Sequence, residues 1–249
     1  MNICVFDTET IGLEKPFCYN IGYVIVDSET RETLLRREYV VEQIWHNLPL
    51  FNTAYYADKR NFYISAMRCR AIKLRKFGTI TQQMIRDFEK HEVKAAFAYN
   101  SSFDERVFDF NCDWFKVVNH FDTIPIYDIR GYVHAVLMTP DFFNWAEENE
   151  AFTEGGHYST TAETLKRYIS KDTAFIEAHT ALADADIETE ILFACVDNGA
   201  DLEGNYTAKR SIERKQSREF TVKASGKVVY CGKHNGATFY KSKGLFVLK

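Results

Sequence analysis

Proline and glycine are scarce here, 4 and 12 in 249 residues, and that excludes collagen-like and low-complexity sequence. No apolar run approaches the roughly 18–20 residues of a membrane-spanning helix, so no membrane partner is expected. No basic segment followed by an apolar stretch opens the chain, and the expected location is the cytoplasm. The six cysteines (Cys4, Cys18, Cys69, Cys112, Cys195 and Cys231) form no CxxC pair. That spacing excludes a zinc site and argues against a disulfide framework. Several sit in apolar runs and read as buried, reduced thiols.

Apolar and aromatic residues are plentiful. Hydrophobic residues make up 46%, enough for a full core, and 20 Phe with 14 Tyr offer faces on which bases can stack. The length suits one larger domain with a small addition. The net charge of -4 hides an asymmetry: from Asn205 onward there are eleven Lys and Arg against two Asp and Glu. An acidic body therefore carries a basic end.

Three strands are expected first, Asn2–Asp7, Asn20–Asp27 and Leu35–Val41, as an antiparallel meander. A long helical stretch follows from about Asn52 to His91, broken near Phe77-Gly78, with Thr79 or Thr81 capping its second half. A fourth strand at "VKAAFAY" leads into a helix at "SSFDERVFDF", and "VVNHFDTI" reads as a fifth strand. Helices then dominate. The pattern predicts an α/β domain with a mixed sheet over residues 1–199. Residues 200–219 read as a charged linker or exposed helix. Residues 220–249 carry turn signals at Ser225-Gly226, Asn235-Gly236 and Lys243-Gly244, and read as a small basic β module of about four strands.

Carboxylates stand where a core should be. In "VFDTET", Asp7 and Glu9 are two apart on a strand, on one face and roughly 6–7 Å apart. At an effective dielectric near 20 they repel by about 2–3 kcal/mol. Either the strand has ended and both are solvated in a turn, or the pair takes up a proton or a cation. In "AYNSSFDERVF", Asp104 is a cap if Ser101-x-x-Asp104 forms the capping box. If Ser102-x-x-Glu105 forms it instead, Asp104 is free at the C-terminal end of a strand, where open α/β sheets place ligands. In "EAHTALADADIETEIL", Asp184, Ile187 and Ile191 share one helix face, so Asp184 points inward. Asp186 and Glu190 lie on a solvated face, and Thr180 is the expected cap. His179 is structural or catalytic; it stands five residues before an inward carboxylate. Asp7, Glu9, Asp104 and Asp184 together suit hard divalent cations. Two such ions can clamp an in-line phosphodiester displacement, with His179 as general base.

"FDTET", "YNSSFD" and "HTALADA" resemble, in chain order, the three exonuclease motifs of the DEDD superfamily. The spacing His179-x4-Asp184 is similar to its catalytic-histidine branch, which includes the DNA polymerase III proofreading subunit, RNase T and oligoribonuclease. The likeness covers roughly residues 1–198. It implies an RNase H-like fold and 3′→5′ release of nucleoside 5′-monophosphates from single-stranded ends, DNA ahead of RNA. It implies that Asp7, Glu9 and Asp184 hold one Mg²⁺ or Mn²⁺, with Asp7 bridging to a second ion supported by Asp104. His179 would deprotonate the attacking water. Thr8 and Ile11 would meet the terminal nucleotide, Asn100 would help seat it, and Phe103 would pack beneath. The alternatives are an RNA-trimming enzyme and a non-catalytic nucleic-acid or polymerase-binding module of the same fold.

Two regions depart from the family. Residues 52–76 are basic and aromatic. They line the substrate path through Lys59, Arg60, Arg68 and Arg70 with Tyr55 and Tyr56, or they form an ordinary helix with a solvated basic face. The basic β module suggests a nucleic-acid tether or a dock for a polymerase or other protein partner.

Overall fold

The computed structural model describes residues 1–119, 121–213, 229–234, 237–242 and 245–248; for Asp122 and beyond residue 213 only the backbone is described. Two compact units result, Met1–Ile212 and Glu213–Lys249.

The first unit is built on a six-stranded mixed sheet. Its strands are β1 (Asn2–Ile11), β2 (Phe17–Asp27), β3 (Thr33–Val41), β4 (Lys73–Arg75), β5 (Ala95–Ala98) and β6 (Ile126–Asp128), in the order β4-β3-β2-β1-β5-β6. β1, β2 and β3 form the antiparallel meander, while β5 pairs parallel with β1 and β6 with β5. β1 and β2 outrun the expected bounds because they keep pairing to Ile11 and Phe17, across a register shift after Glu9. Asp7 and Glu9 thus belong to the sheet and not to a turn.

Helices cover both faces, and β1 shows why. Cys4 and Phe6 face one core, with Met84 of α4 (Phe77–Lys90) and Phe108 of α5 (Ser101–Phe115). The short helices α1 (Glu42–Trp45) and α2 (Leu48–Phe51), together with α3 (Arg60–Arg68), close that side. Ile3 and Val5, of opposite parity, face a second core. It is filled from α6 (Ile129–Val136), α7 (Pro140–Glu148), α8 (Ala162–Ser170) and α9 (Ala181–Asp197). The period of two along the strand thus feeds two separate cores.

Several expectations are corrected. The stretch 52–91 is not one broken helix, since β4 interrupts it as a parallel edge strand beside β3. α4 starts at Phe77 and includes Gly78, where Val117 packs so closely that a Cβ would come within 2.6 Å of it. The Gln43 side chain, and neither threonine, accepts from the Phe77 N–H. The strand expected at "VVNHFDTI" lies later, at β6. Phe121 instead turns into the core against Phe6, Phe88 and Phe108.

Residues 200–212 are not a linker. The Tyr132 hydroxyl donates to the Leu202 and Gly204 carbonyls, the Lys209 N–H donates to His134 Nδ1, and the Tyr158 N–H donates to the Ile212 carbonyl. The segment is held by these backbone groups together with Leu202, Tyr206 and Ile212, which pack on the second core. Residues 214–219 lie outside the described residues.

The second unit is a three-stranded antiparallel sheet of β7 (Val229–His234), β8 (Ala237–Ser242) and β9 (Leu245–Leu248). Its strands pair on either side of Asn235-Gly236 and Lys243-Gly244. The turn expected at Ser225-Gly226 lies outside the described residues. Among the described residues no helix is long and apolar enough to cross a membrane. Cys4, Cys18 and Cys195 are buried free thiols, Cys112 is buried, and Cys69 is exposed.

Candidate metal centre

Asp7 and Glu9 continue the β1 face that carries Ile3 and Val5, so they point toward α9. Opposite Asp7 on β2 is Gly22, and opposite Glu9 is Asn20. Asn20 is a buried polar hub. Its Oδ1 accepts from the Tyr63 hydroxyl and the Ala181 N–H, both at 2.9 Å, and its Nδ2 donates to the Tyr39 carbonyl. Asn20, and not the expected Thr180, thereby satisfies an orphan N–H of α9. The start of α9 rests on Gly22, which brings Asp184 over the β1 carboxylates.

Single carboxylate oxygens of Asp7, Glu9 and Asp184 lie within 4.8 Å of one another. Asp7 and Glu9 are half-buried, and Asp184 is buried. Burial, then repulsion from Glu177, pushes the Asp7 carboxyl up to about 7. Burial and the Asp7 charge push Glu9 to about 9, and burial with Asp7, Glu177 and Glu9 pushes Asp184 to about 10. Asp184 Oδ1 is buried and has no hydrogen-bond partner among the described residues. An all-oxygen donor set with one orphaned buried oxygen fits a hard divalent cation.

Asp104 stands outside this group of three. It lies in the first turn of α5, 3% exposed, and its Oδ1 accepts the Thr8 hydroxyl at 2.6 Å. Burial, then the Asp7 charge, raises its carboxyl well above the ordinary range. Neither expected capping box forms at this helix: the Ser101 hydroxyl donates to Glu105 Oε1, and Asn100 enters in the left-handed region with φ 63.

His179 precedes α9, also in the left-handed region, with φ 48. Its ring stacks on Tyr56 at 4.5 Å between centroids and 15° between planes. Its Nδ1 lies 3.5 Å from Glu177 Oε2. Lys59 Nζ donates to the Ala178 and His179 carbonyls and sits 4.4 Å over the Tyr56 ring. Burial, then Lys59, lowers the His179 imidazole below its usual value, so it is neutral near pH 7. Arg60 instead covers Trp45 and Phe51, and Tyr55 is 88% exposed.

The remaining sequence-derived positions have different surroundings. Ile11 is buried in the core and Phe103 packs against it. The Thr8 hydroxyl is spent on Asp104. Asn100 is exposed, and its N–H donates to Asp128. Three carboxylates escaped the sequence reading, among them Glu163 of α8, which groups with Glu177 and His179. Glu177, two residues before His179 in the irregular segment that leads into α9, faces Asp7, Glu9 and Asp184 electrostatically. Glu188, 3% exposed, accepts the Tyr99 N–H, and burial with the Asp7 and Asp104 charges raises it well above the ordinary range. Its position four residues after Asp184 put it on the same inward helix stripe.

Among solved structures, the chain is similar to the nuclease domain of 3'hExo, a DEDDh family member, bound to rAMP. The TM-score is 0.53 at 14% identity, over 80% of this chain and 92% of that one. E. coli Exonuclease I in complex with a dT13 oligonucleotide gives a TM-score of 0.50 at 16% identity, over 78% of this chain but 40% of that one. Neither a protein-family model nor a curated protein matches the sequence. The first unit therefore has the RNase H-like fold of a DEDDh nuclease domain.

Proposed function

We propose that the chain is a divalent-metal-dependent 3′→5′ exonuclease acting on single-stranded nucleic-acid ends. The carrying observation is the convergence of Asp7, Glu9 and Asp184 oxygens within 4.8 Å in a largely buried setting. That arrangement costs stability unless protons or cations neutralise it. Asp7, Glu9 and Asp184 would hold one Mg²⁺ or Mn²⁺, and Asp104 with Asp7 would support a second. Bound there, the ions supply charge stabilisation to the reacting phosphodiester.

The side chains supply the rest. Thr8 orients Asp104. Neutral His179 accepts the proton of the attacking water, and Glu177 beside its Nδ1 orients the ring. The fold shared with 3'hExo, whose structure holds rAMP, supports a nucleotide end as substrate, and single-stranded DNA is the first substrate to test. End-labelled DNA and RNA oligonucleotides with Mg²⁺ should give a ladder shortening from the 3′ end, absent with Asp7→Ala. No ladder, or equal ladders from both proteins, overturns the reading. A ladder on RNA alone makes the chain an exoribonuclease.

A further inference from the structure

Beyond the end of β5 lies a cavity of about 450 Å³. Arg130 of α6, Arg210 and His157 line it together with Tyr99, Asn100 and Tyr158. Ion pairing divides the arginines of this unit, and Arg60, Arg68, Arg70, Arg75, Arg86 and Arg106 fall with these two on the unpaired side among the described residues. Arg31, Arg36, Arg37 and Arg167 each pair with a carboxylate. Arg130 and Arg210 have no such partner among the described residues. Arg130 makes one long bond, from Nη2 to the Arg210 carbonyl at 3.4 Å, which leaves most of its five donors for a ligand. Guanidinium groups that line one cavity with tyrosines suit a phosphate with a base attached.

The cavity lining meets the acidic group along the chain, at the start of α5. Asn100 opens α5, and Asp104 follows one helical turn later, roughly 5–6 Å along the axis. The Tyr99 N–H donates to Glu188, whose carboxyl feels the Asp7 and Asp104 charges, and the Tyr99 hydroxyl donates to the Thr160 carbonyl. Asp128 Oδ1 accepts both the Asn100 N–H at 2.8 Å and the Arg130 N–H at 3.0 Å. One carboxylate therefore fixes the arginine-bearing helix against the wall that leads to Asp104.

We propose that this cavity takes an internucleotide phosphate and neighbouring base of the single strand whose 3′ end lies at Asp7, Glu9 and Asp184. The assignment rests on the nuclease reading for the identity of the strand. Its test is therefore binding without turnover: fluorescence anisotropy of labelled dodecathymidylate in EDTA, across a salt series. The double variant Arg130→Gln/Arg210→Gln should bind about tenfold more weakly, the scale of a missing charged hydrogen bond. Its slope of log affinity against log salt should be shallower by roughly 0.7 for each phosphate that is no longer neutralised. Wild-type affinity and slope in a variant of unchanged melting temperature overturn the proposal. So does abolished thymidine monophosphate binding with unchanged dodecamer binding, because the cavity would then be a mononucleotide site.

A second measurement needs no variant. Dodecathymidylate carrying 4-thiothymidine two nucleotides from its 3′ end should photocrosslink to peptides containing Tyr99 or Tyr158, and crosslinks elsewhere alone overturn the assignment. A chain that passes both tests yet hydrolyses nothing would overturn the nuclease reading and leave the strand site standing.

Discussion

The backbone nitrogen of Leu182 lies 2.1 Å from the point where a side chain on Gly22 would begin. The carbonyl carbon of Ala181 is 2.2 Å from the same point. No L-residue with a Cβ fits there without moving backbone. Gly22 pairs with Asp7 on one side and Glu38 on the other, so this close approach sets how far α9 reaches over the sheet.

Gly22→Ala should lift the start of α9 and carry Asp184 away from Asp7 and Glu9. A displacement near 1 Å at a reacting centre costs on the order of 10²-fold in rate. Overpacking of this kind destabilises by about 1–3 kcal/mol. Nuclease assays and Mn²⁺ titrations read the first effect, and urea unfolding reads the second. Full activity with full Mn²⁺ affinity would show that the helix tolerates the shift.

Metal-free protein should lose stability as pH rises. The carboxyls of Asp7, Glu9 and Asp184 are raised to about 7, 9 and 10 in the folded state. In the unfolded chain they ionise near 4. Below that pH both states are protonated and no penalty exists. Between pH 4 and these raised values the unfolded chain ionises while the folded one stays protonated, so stability falls; above them the loss is complete. A divalent ion favours the ionised carboxylates and reverses the trend. Thermal melts should show a larger Mn²⁺-induced rise in Tm at pH 8 than at pH 5.5, with proton release on binding in calorimetry. An equal rise at both pH values would sink the linkage.

Tyr56→Ala should raise the His179 pKa toward its usual value, because the stacked ring contributes to its burial. Tyr56→Phe should not. Aromatic pairs are worth about 0.5–1.5 kcal/mol, so the alanine variant should lose about two- to tenfold in rate through misplacement of the imidazole. His179→Ala should lose roughly 10²–10⁴-fold while keeping most of its Mn²⁺ affinity. NMR titration of the imidazole and the acid limb of the pH–rate profile test both. A pKa unmoved by Tyr56→Ala removes the positioning role.

What the sequence disclosed depended on periodicity. Asp7 and Glu9 stood out because a strand repeats every two residues, and Asp184 because a helix returns Ile187 and Ile191 to its face. Asp104 was ambiguous, since two overlapping capping patterns competed and the backbone adopted neither. The Tyr56–His179 stack was not legible. It joins residues 123 positions apart in sequence, and only the packing of the 52–60 segment decides which ring meets the histidine. The extent of the first unit was hidden too, because residues 200–212 attach by backbone hydrogen bonds and by a few isolated side chains, Leu202, Tyr206 and Ile212, that follow no helix or strand period.

Glu188 separates a buried proton carrier from a ligand. It lies on the Asp184 stripe of α9, but its carboxylate accepts the Tyr99 N–H at 3.1 Å, and it is not one of the oxygens that converge with Asp7. Burial, then the charges of Asp7, Asp104 and Asp184, raises its carboxyl well above the ordinary range. A neutral isostere should therefore replace it. Glu188→Gln keeps an acceptor for Tyr99 and removes a group that resists ionisation, so stability above pH 8 should rise and Mn²⁺ affinity should hold. Glu188→Leu leaves the Tyr99 N–H buried and unpaired, a loss of about 1–3 kcal/mol, and loosens the wall at Asn100. Urea unfolding at pH 6 and 9 with Mn²⁺ titration distinguishes the outcomes. If Glu188→Gln loses metal affinity as severely as Asp184→Asn does, Glu188 is itself a ligand.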